Sequence, residues 1–162
     1  MERISKENYY LDIAQTVAAR STCLRRKFGA IIVSNDSIVS TGYNGAPRGR
    51  KNCSDLGTCM REELGIPRDE RYEMCRSIHA EQNAIIAAAA HQMMGSTLYL
   101  ACVDAPTGQL MGGTCCCQMC KRNVINAGIE KVVVRETPTE FTVYNVKDWI
   151  EDDDSLTGKF GY

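Results

Sequence analysis

The sequence predicts an α/β sandwich, and three observations carry that prediction. Two β-branched runs near the N-terminus are joined by a turn pair and read as an antiparallel hairpin. Two later strands, Thr97–Val103 and Lys131–Arg135, are separated by a helix-length segment, which asks for a parallel pair joined by a helical crossover. Three segments carry apolar residues at helical spacing or helix-forming composition, enough to cover a sheet. At 162 residues the chain is long enough for one domain with a sizeable core and short for two. We expect one domain over 1–162, with a core of about 5–136 and a variable C-terminal tail, 137–162.

In order along the chain, Asn8 to Arg20 places Tyr9, Tyr10, Ile13, Ala14, Val17 and Ala18 on one helical stripe, with Ser5 as a candidate cap. Phe28 to Ser34 and Ser37 to Gly42 are the hairpin strands, and Asn35-Asp36 is their turn. From Tyr43 to Met74 the pattern dissolves into Gly45, Pro47, Gly49, Gly57, Gly65 and Pro67, too long for a passive loop in a compact domain. His79 to about Met93 reads as a central helix ended by Gly95. Asp104 to Gly113 is a loop or hairpin. Cys117 to Asn126 is a second core helix closed by Gly128. In the tail, Phe141, Val143, Tyr144, Val146, Trp149 and Ile150 should pack on the body, and the last residues should fray.

Composition removes several classes of function. Nineteen basic and 20 acidic residues leave a net charge of −1, which argues against a protein that grips nucleic-acid backbone. No uninterrupted apolar stretch suggests a signal or a membrane span, so the expected location is the cytoplasm. Nine cysteines in such a chain point to metal binding, with the remainder as small buried residues.

The chemistry concentrates at His79-Ala80-Glu81 and at Cys117-Gln118-Met119-Cys120, each opening a helical segment. One imidazole and two thiolates supply three ligands of a tetrahedral zinc site and leave the fourth place for water, as catalytic zinc sites do. A carboxylate two residues from the ligand histidine can move protons at that water. Helix starts suit thiolates, because the dipole and the free N–H groups there favour negative charge. His91 reads as an ordinary helix-end residue, and Cys102 and Cys115 as buried small residues.

On these motifs, together with Ser21-Thr22-Cys23, Phe28 to Val33 and Ser40 to Gly49, the chain resembles the deoxycytidylate deaminases of the zinc-dependent cytidine deaminase superfamily. The resemblance covers roughly Arg20 to Arg135. It implies a three-layer sandwich, a mixed sheet of about five strands with helices on both faces, and hydrolysis of dCMP to dUMP and ammonia. It also implies that His79, Cys117 and Cys120 hold the catalytic zinc, that Glu81 is the proton shuttle, and that Asn44 of Tyr43-Asn44-Gly45 contacts the sugar hydroxyl. By the same resemblance the Ala80 N–H and the Cys115 carbonyl hold the polar edge of the base. The family places proline just before the first ligand cysteine, whereas here the position is Cys116, a rival ligand. The three-residue spacing to Cys120 favours Cys117.

Four more cysteines, Cys23, Cys53, Cys59 and Cys75, could close a second, structural zinc site that ties the 43–74 excursion to the core; some relatives carry a second zinc with cysteines matching Cys23 and Cys53. Arg25, Arg26 and Arg48 are candidates for a 5′-phosphate, since arginine grips phosphate with two donors. The resemblance further implies dCTP or dTTP effectors and a homo-oligomer, commonly a hexamer. Nucleic acid and membrane are not expected partners. The rival readings are a cytidine or deoxycytidine deaminase, a tRNA-type nucleobase deaminase, and a non-catalytic, zinc-stabilised nucleotide-binding or competence-associated module.

Overall fold

The computed structural model describes residues 1–157, so the frayed end expected in the tail lies outside the described residues. Helix α1 (Lys6–Ala18) begins at Ser5, whose hydroxyl accepts the Asn8 amide at 3.2 Å. It buries Tyr10, Leu11, Ala14 and Ala18. Leu11 was not in the predicted stripe, and Tyr9, which was, stands 49% exposed. Strands β1 (Arg26–Ser34) and β2 (Ser37–Tyr43) form the expected antiparallel hairpin. Its turn residues Asn35 and Asp36 have φ of 50° and 59°, the left-handed pair a tight hairpin requires.

The sheet has six strands in the order β2, β1, β3 (Thr97–Asp104), β5 (Lys131–Arg135) and β6 (Phe141–Asn145), with the two-residue β4 (Leu110–Met111) beside β3. Strand β3 pairs antiparallel with β1 and parallel with β5, and helix α6 (Gln118–Ala127) makes the crossover. The parallel arrangement stops there. Strand β6 returns antiparallel on β5, followed by helix α7 (Val146–Glu151), so the tail adds an edge strand and a helix. Val146 is buried in the main core, Tyr144 and Trp149 pack against it and Phe141 packs on the other face, but Val143 and Ile150, also expected to pack, stand exposed on the edge strand and its helix.

The sheet divides the core in two. On one face α1 packs Tyr10, Leu11 and Ala14 on Ile31, Val33, Tyr99 and Val133. On the other, Ala30, Ile32, Leu98 and Leu100 meet Ala80, Ala84 and the segment Cys115 to Cys120. A glycine marks the close approach on each face: a Cβ at Gly29 would sit 2.0 Å from the Ala14 carbonyl oxygen, and one at Gly42 would sit 2.4 Å from both the Ala80 oxygen and the Ala84 nitrogen. Gly42 therefore lets helix α4 (Ala80–Ala87) lie directly on β2.

Helix α4 is shorter than expected. Ala88 and Ala89 are extended, and a separate turn of helix, α5 (Ala90–Met93), follows. The excursion after β2 folds into α2 (Cys53–Leu56), α3 (Met60–Glu63) and a 3-10 turn, Tyr72–Met74. Polar contacts hold it to the body. Gly45 and Ile78 exchange backbone hydrogen bonds at 3.2 and 2.8 Å, and Arg76 Nε donates to the Lys51 carbonyl at 2.6 Å; within the excursion itself, Arg61 Nη2 donates to the carbonyls of Pro67 and Glu70 at 2.7 and 2.6 Å.

Candidate metal centre and active site

Two helix starts meet at the site. His79 is the N-cap of α4, fixed there by its backbone N–H, which donates to Gln82 Oε1 at 3.1 Å. Cys117 is the N-cap of α6, and Cys120 lies in the first turn of that helix. The cysteine cluster and the start of α4 belong to one core, so the ligand residues are placed by packed helices and not by loose loops.

His79 Nδ1 lies 3.5 Å from Cys117 Sγ and 3.4 Å from Cys120 Sγ, and the three ligand atoms all fall within 4.8 Å of one another. Tetrahedral zinc with Zn–S of about 2.3 Å and Zn–N of about 2.0 Å separates nitrogen from sulfur by roughly 3.5 Å. The residues fit the metal. The hydrogen bond with Cys120, and after it that with His79, outweighs burial and pushes the Cys117 thiol well below its ordinary range, in favour of thiolate. Burial pulls the His79 imidazole down, but hydrogen bonds with Cys117 and Cys75 outweigh it and hold it at about 10.

Glu81 is 4% exposed, and its Oε2 lies 3.6 Å from Cys120 Sγ. Burial raises its carboxyl above the usual range, an environment suited to a group that picks up and returns a proton. His79, Cys117 and Glu81 face a cavity that opens to solvent. Ala80 and Cys115 line it as expected. Ala80 sits at the first helical position of α4, where the backbone N–H has no intrahelical acceptor.

Asn44 also lines the cavity, but most of its polar capacity is spent on the scaffold. Its Oδ1 accepts from Ser21 Oγ at 2.5 Å and from the Phe28 amide at 2.8 Å, while Nδ2 donates to the Arg26 carbonyl at 2.9 Å. One Nδ2 hydrogen is left over. Arg25 and Arg26 line the cavity; Arg48 does not, because the glycine-flanked turn after Pro47 leaves it exposed outside. Two cavity arginines, Arg61 and Arg68, were missed by sequence reasoning. Each is followed by two acidic residues in a charged run that reads as solvated surface.

The structure brings Cys117, and not Cys116, into the ligand group. Cys23, Cys53, Cys59 and Cys75 converge without forming a comparable group: the other three all raise the Cys53 thiol, after burial, yet among the described residues only His79, Cys117 and Cys120 gather within ligating distance. Cys75 instead hydrogen-bonds the His79 imidazole, and with Cys23 and Cys59 it lines the cavity.

A mixed-sheet α/β fold with one imidazole and two thiolates gathered beside a buried carboxylate defines a metal-assisted hydrolase site. A profile of the cytidine and deoxycytidylate deaminase zinc-binding region matches residues 4–136, a span that contains all four of these side chains, and the chain belongs to that family. It is 36% identical over 138 residues to the deoxycytidylate deaminase of Mycobacterium phage D29, covering 82% of this chain and 96% of that protein. It is 32% identical over 131 residues to the deoxycytidylate deaminase of Schizosaccharomyces pombe, covering 81% of this chain but only 37% of the yeast protein. The crystal structure of dCMP deaminase from the cyanophage S-TIM5 in complex with dCMP and dUMP superposes with a TM-score of 0.55 at 26% identity, over 95% of each chain.

Proposed function

We propose that the protein is a zinc-dependent hydrolase that converts dCMP and water to dUMP and ammonia, and so supplies the precursor of thymidylate. The observation that carries this reading is the gathering of His79 Nδ1, Cys117 Sγ and Cys120 Sγ with Glu81 Oε2 alongside, at the wall of one cavity. The names of the phage and yeast relatives, and the dCMP and dUMP held by the cyanophage enzyme, support the substrate.

His79, Cys117 and Cys120 would hold the zinc, which would supply Lewis acidity and lower the pKa of water at the site towards neutrality. Glu81 takes a proton from the attacking water and delivers it to N3 of the ring as the C4–O bond forms. It then carries the second proton to the amine nitrogen, so that the C4–N bond breaks with loss of ammonia. The Ala80 N–H and the Cys115 carbonyl hold the polar edge of the base, and the remaining Nδ2 hydrogen of Asn44 meets a sugar hydroxyl. Its three scaffold bonds fix where that hydrogen points. Arg25 and Arg26 face the 5′-phosphate.

Ammonia release from dCMP, CMP, deoxycytidine and cytidine tests the reading. We expect dCMP to lead the panel. Preferential turnover of the free nucleosides would replace this proposal with a cytidine deaminase. The same reading includes a cytoplasmic location, in keeping with nine free cysteines, and a homo-oligomer, a hexamer by family resemblance, that responds to dCTP or dTTP. Light scattering with and without each triphosphate tests assembly and response. A second zinc on Cys23, Cys53, Cys59 and Cys75 rests on the family resemblance, since among the described residues these four do not gather as a ligand set; metal analysis giving two zinc ions per chain supports it, and one overturns it.

A further inference from the structure

Arg61 is a buried cation that the reaction described above does not use. It lies in α3, is 5% exposed, and lines the same cavity as His79 and Glu81. Its Nη2 is spent on the Pro67 and Glu70 carbonyls, and its guanidinium carbon stands 4.5 Å from the centroid of the Tyr72 ring. That ring in turn meets His79 edge-on, at 5.0 Å and 82°. Nε is buried without an acceptor. Among the described residues no carboxylate pairs with the guanidinium, and Glu62, its neighbour in sequence, is taken by Arg25 at 3.0 Å.

Two carbonyls and a ring face solvate part of this charge and neutralise none of it, and a buried cation without a counter-ion is costly. The rest of the cavity wall supplies no remedy, since Arg25, Arg26 and Arg68 line it and Glu81 is the one acidic residue among its lining. Among the described residues the cavity lining therefore offers this cation no counter-ion of its own besides Glu81, which serves the reaction. Phosphate suits the fork geometry of guanidinium groups better than any other group of a nucleotide.

We infer that Arg61 is a specificity-determining residue, the buried cation neutralised by the substrate's 5′-phosphate, through which the cavity selects nucleotide over nucleoside. This rests on the deamination reading above. The step it governs is binding, not proton transfer.

The test uses the zinc-loaded full chain as wild type, Arg61→Lys and Arg61→Met. It compares kcat and KM on dCMP and deoxycytidine, zinc content, and the rise in Tm produced by inorganic phosphate. For Arg61→Met the expected result is a fall of roughly 10- to 100-fold in the dCMP-to-deoxycytidine ratio of kcat/KM, expressed mainly in KM, with zinc content held. The phosphate-induced rise in Tm should be present in wild type and lost in Arg61→Met. Arg61→Lys, which keeps the charge and loses the fork, should fall between. An equal loss on both substrates, or a phosphate response that survives in Arg61→Met or is missing in wild type, would overturn the inference and leave Arg61 as a fastener of the excursion. Should Arg61→Met fail to fold, Arg61→Lys decides by the same ratio. A wild type that ignores dCMP defeats the deamination reading alone, and the phosphate response still judges Arg61.

Discussion

Cys116 is fully buried next to the ligand residue Cys117. The hydrogen bond with Cys115, then burial, then the Glu81 carboxylate push its own thiol well above the ordinary range. Its sulfur is not among the atoms gathered with His79, whereas those of Cys117 and Cys120 are. Cys116→Pro, which restores a residue suited to the start of a helix, should therefore leave both zinc content and turnover largely intact. Loss of both, read by metal analysis and an ammonia assay, would make Cys116 a ligand. The four central side chains were legible in the sequence because their chemistry is local: each ligand set is compressed into a few residues at a helix start. Arg61 was not. In the run Arg61-Glu62-Glu63 an arginine looks solvated, and its burial depends on carbonyls of Pro67 and Glu70 that only the folded excursion presents.

Helix α4 carries His79 and Glu81, and it rests on β2 at a position with no room for a side chain. Gly42→Ala would place a Cβ 2.4 Å from the α4 backbone. Overpacking of this kind costs about 1–3 kcal/mol, and with roughly 2–4 °C lost per kcal/mol in a domain of this size a clear fall in Tm is expected. An unchanged Tm would mean that α4 does not sit where we place it. The other face offers a pH test. The Tyr10 hydroxyl donates to Asp36 Oδ1 at 2.8 Å and ties α1 to the hairpin turn, and burial, aided by that bond, pushes its pKa from 10.0 up to about 12. A raised folded value means that the contribution is whole below pH 10 and is lost as pH climbs towards 12. Denaturation curves across that window should fall more steeply for wild type than for Tyr10→Phe; parallel curves would contradict the assignment. The hairpin and its turn were plain from Asn35-Asp36. The break at Ala88 and Ala89 was invisible, since a run of four alanines has the highest helix propensity and carries no local signal to stop.

At the scale of the molecule, the family match ends at Glu136, but the fold does not. Strand β6 covers the edge of β5, Val146 enters the core, and Lys121 of α6 stands over the Trp149 ring at 5.3 Å. Truncation after residue 136 should uncover a sheet edge and part of the core, lowering Tm and solubility. A truncated chain as soluble and as stable as the full one would show the tail to be dispensable. The sequence announced the tail's apolar residues but not its strand, because Phe141 to Asn145 alternates too briefly to be told from a loop until β5 is there to pair with it. No helix among the described residues is long and apolar enough to cross a membrane.

The central claim is that one carboxylate beside a His-Cys-Cys metal cluster performs the proton transfers of a hydrolytic deamination. Zinc content and dCMP turnover measured on the same preparation of Glu81→Gln test it most directly. Zinc should stay at the wild-type level while kcat falls by about 10²- to 10⁴-fold, the range a general acid–base contributes. Turnover within a few-fold of wild type, with zinc in place, would contradict the account.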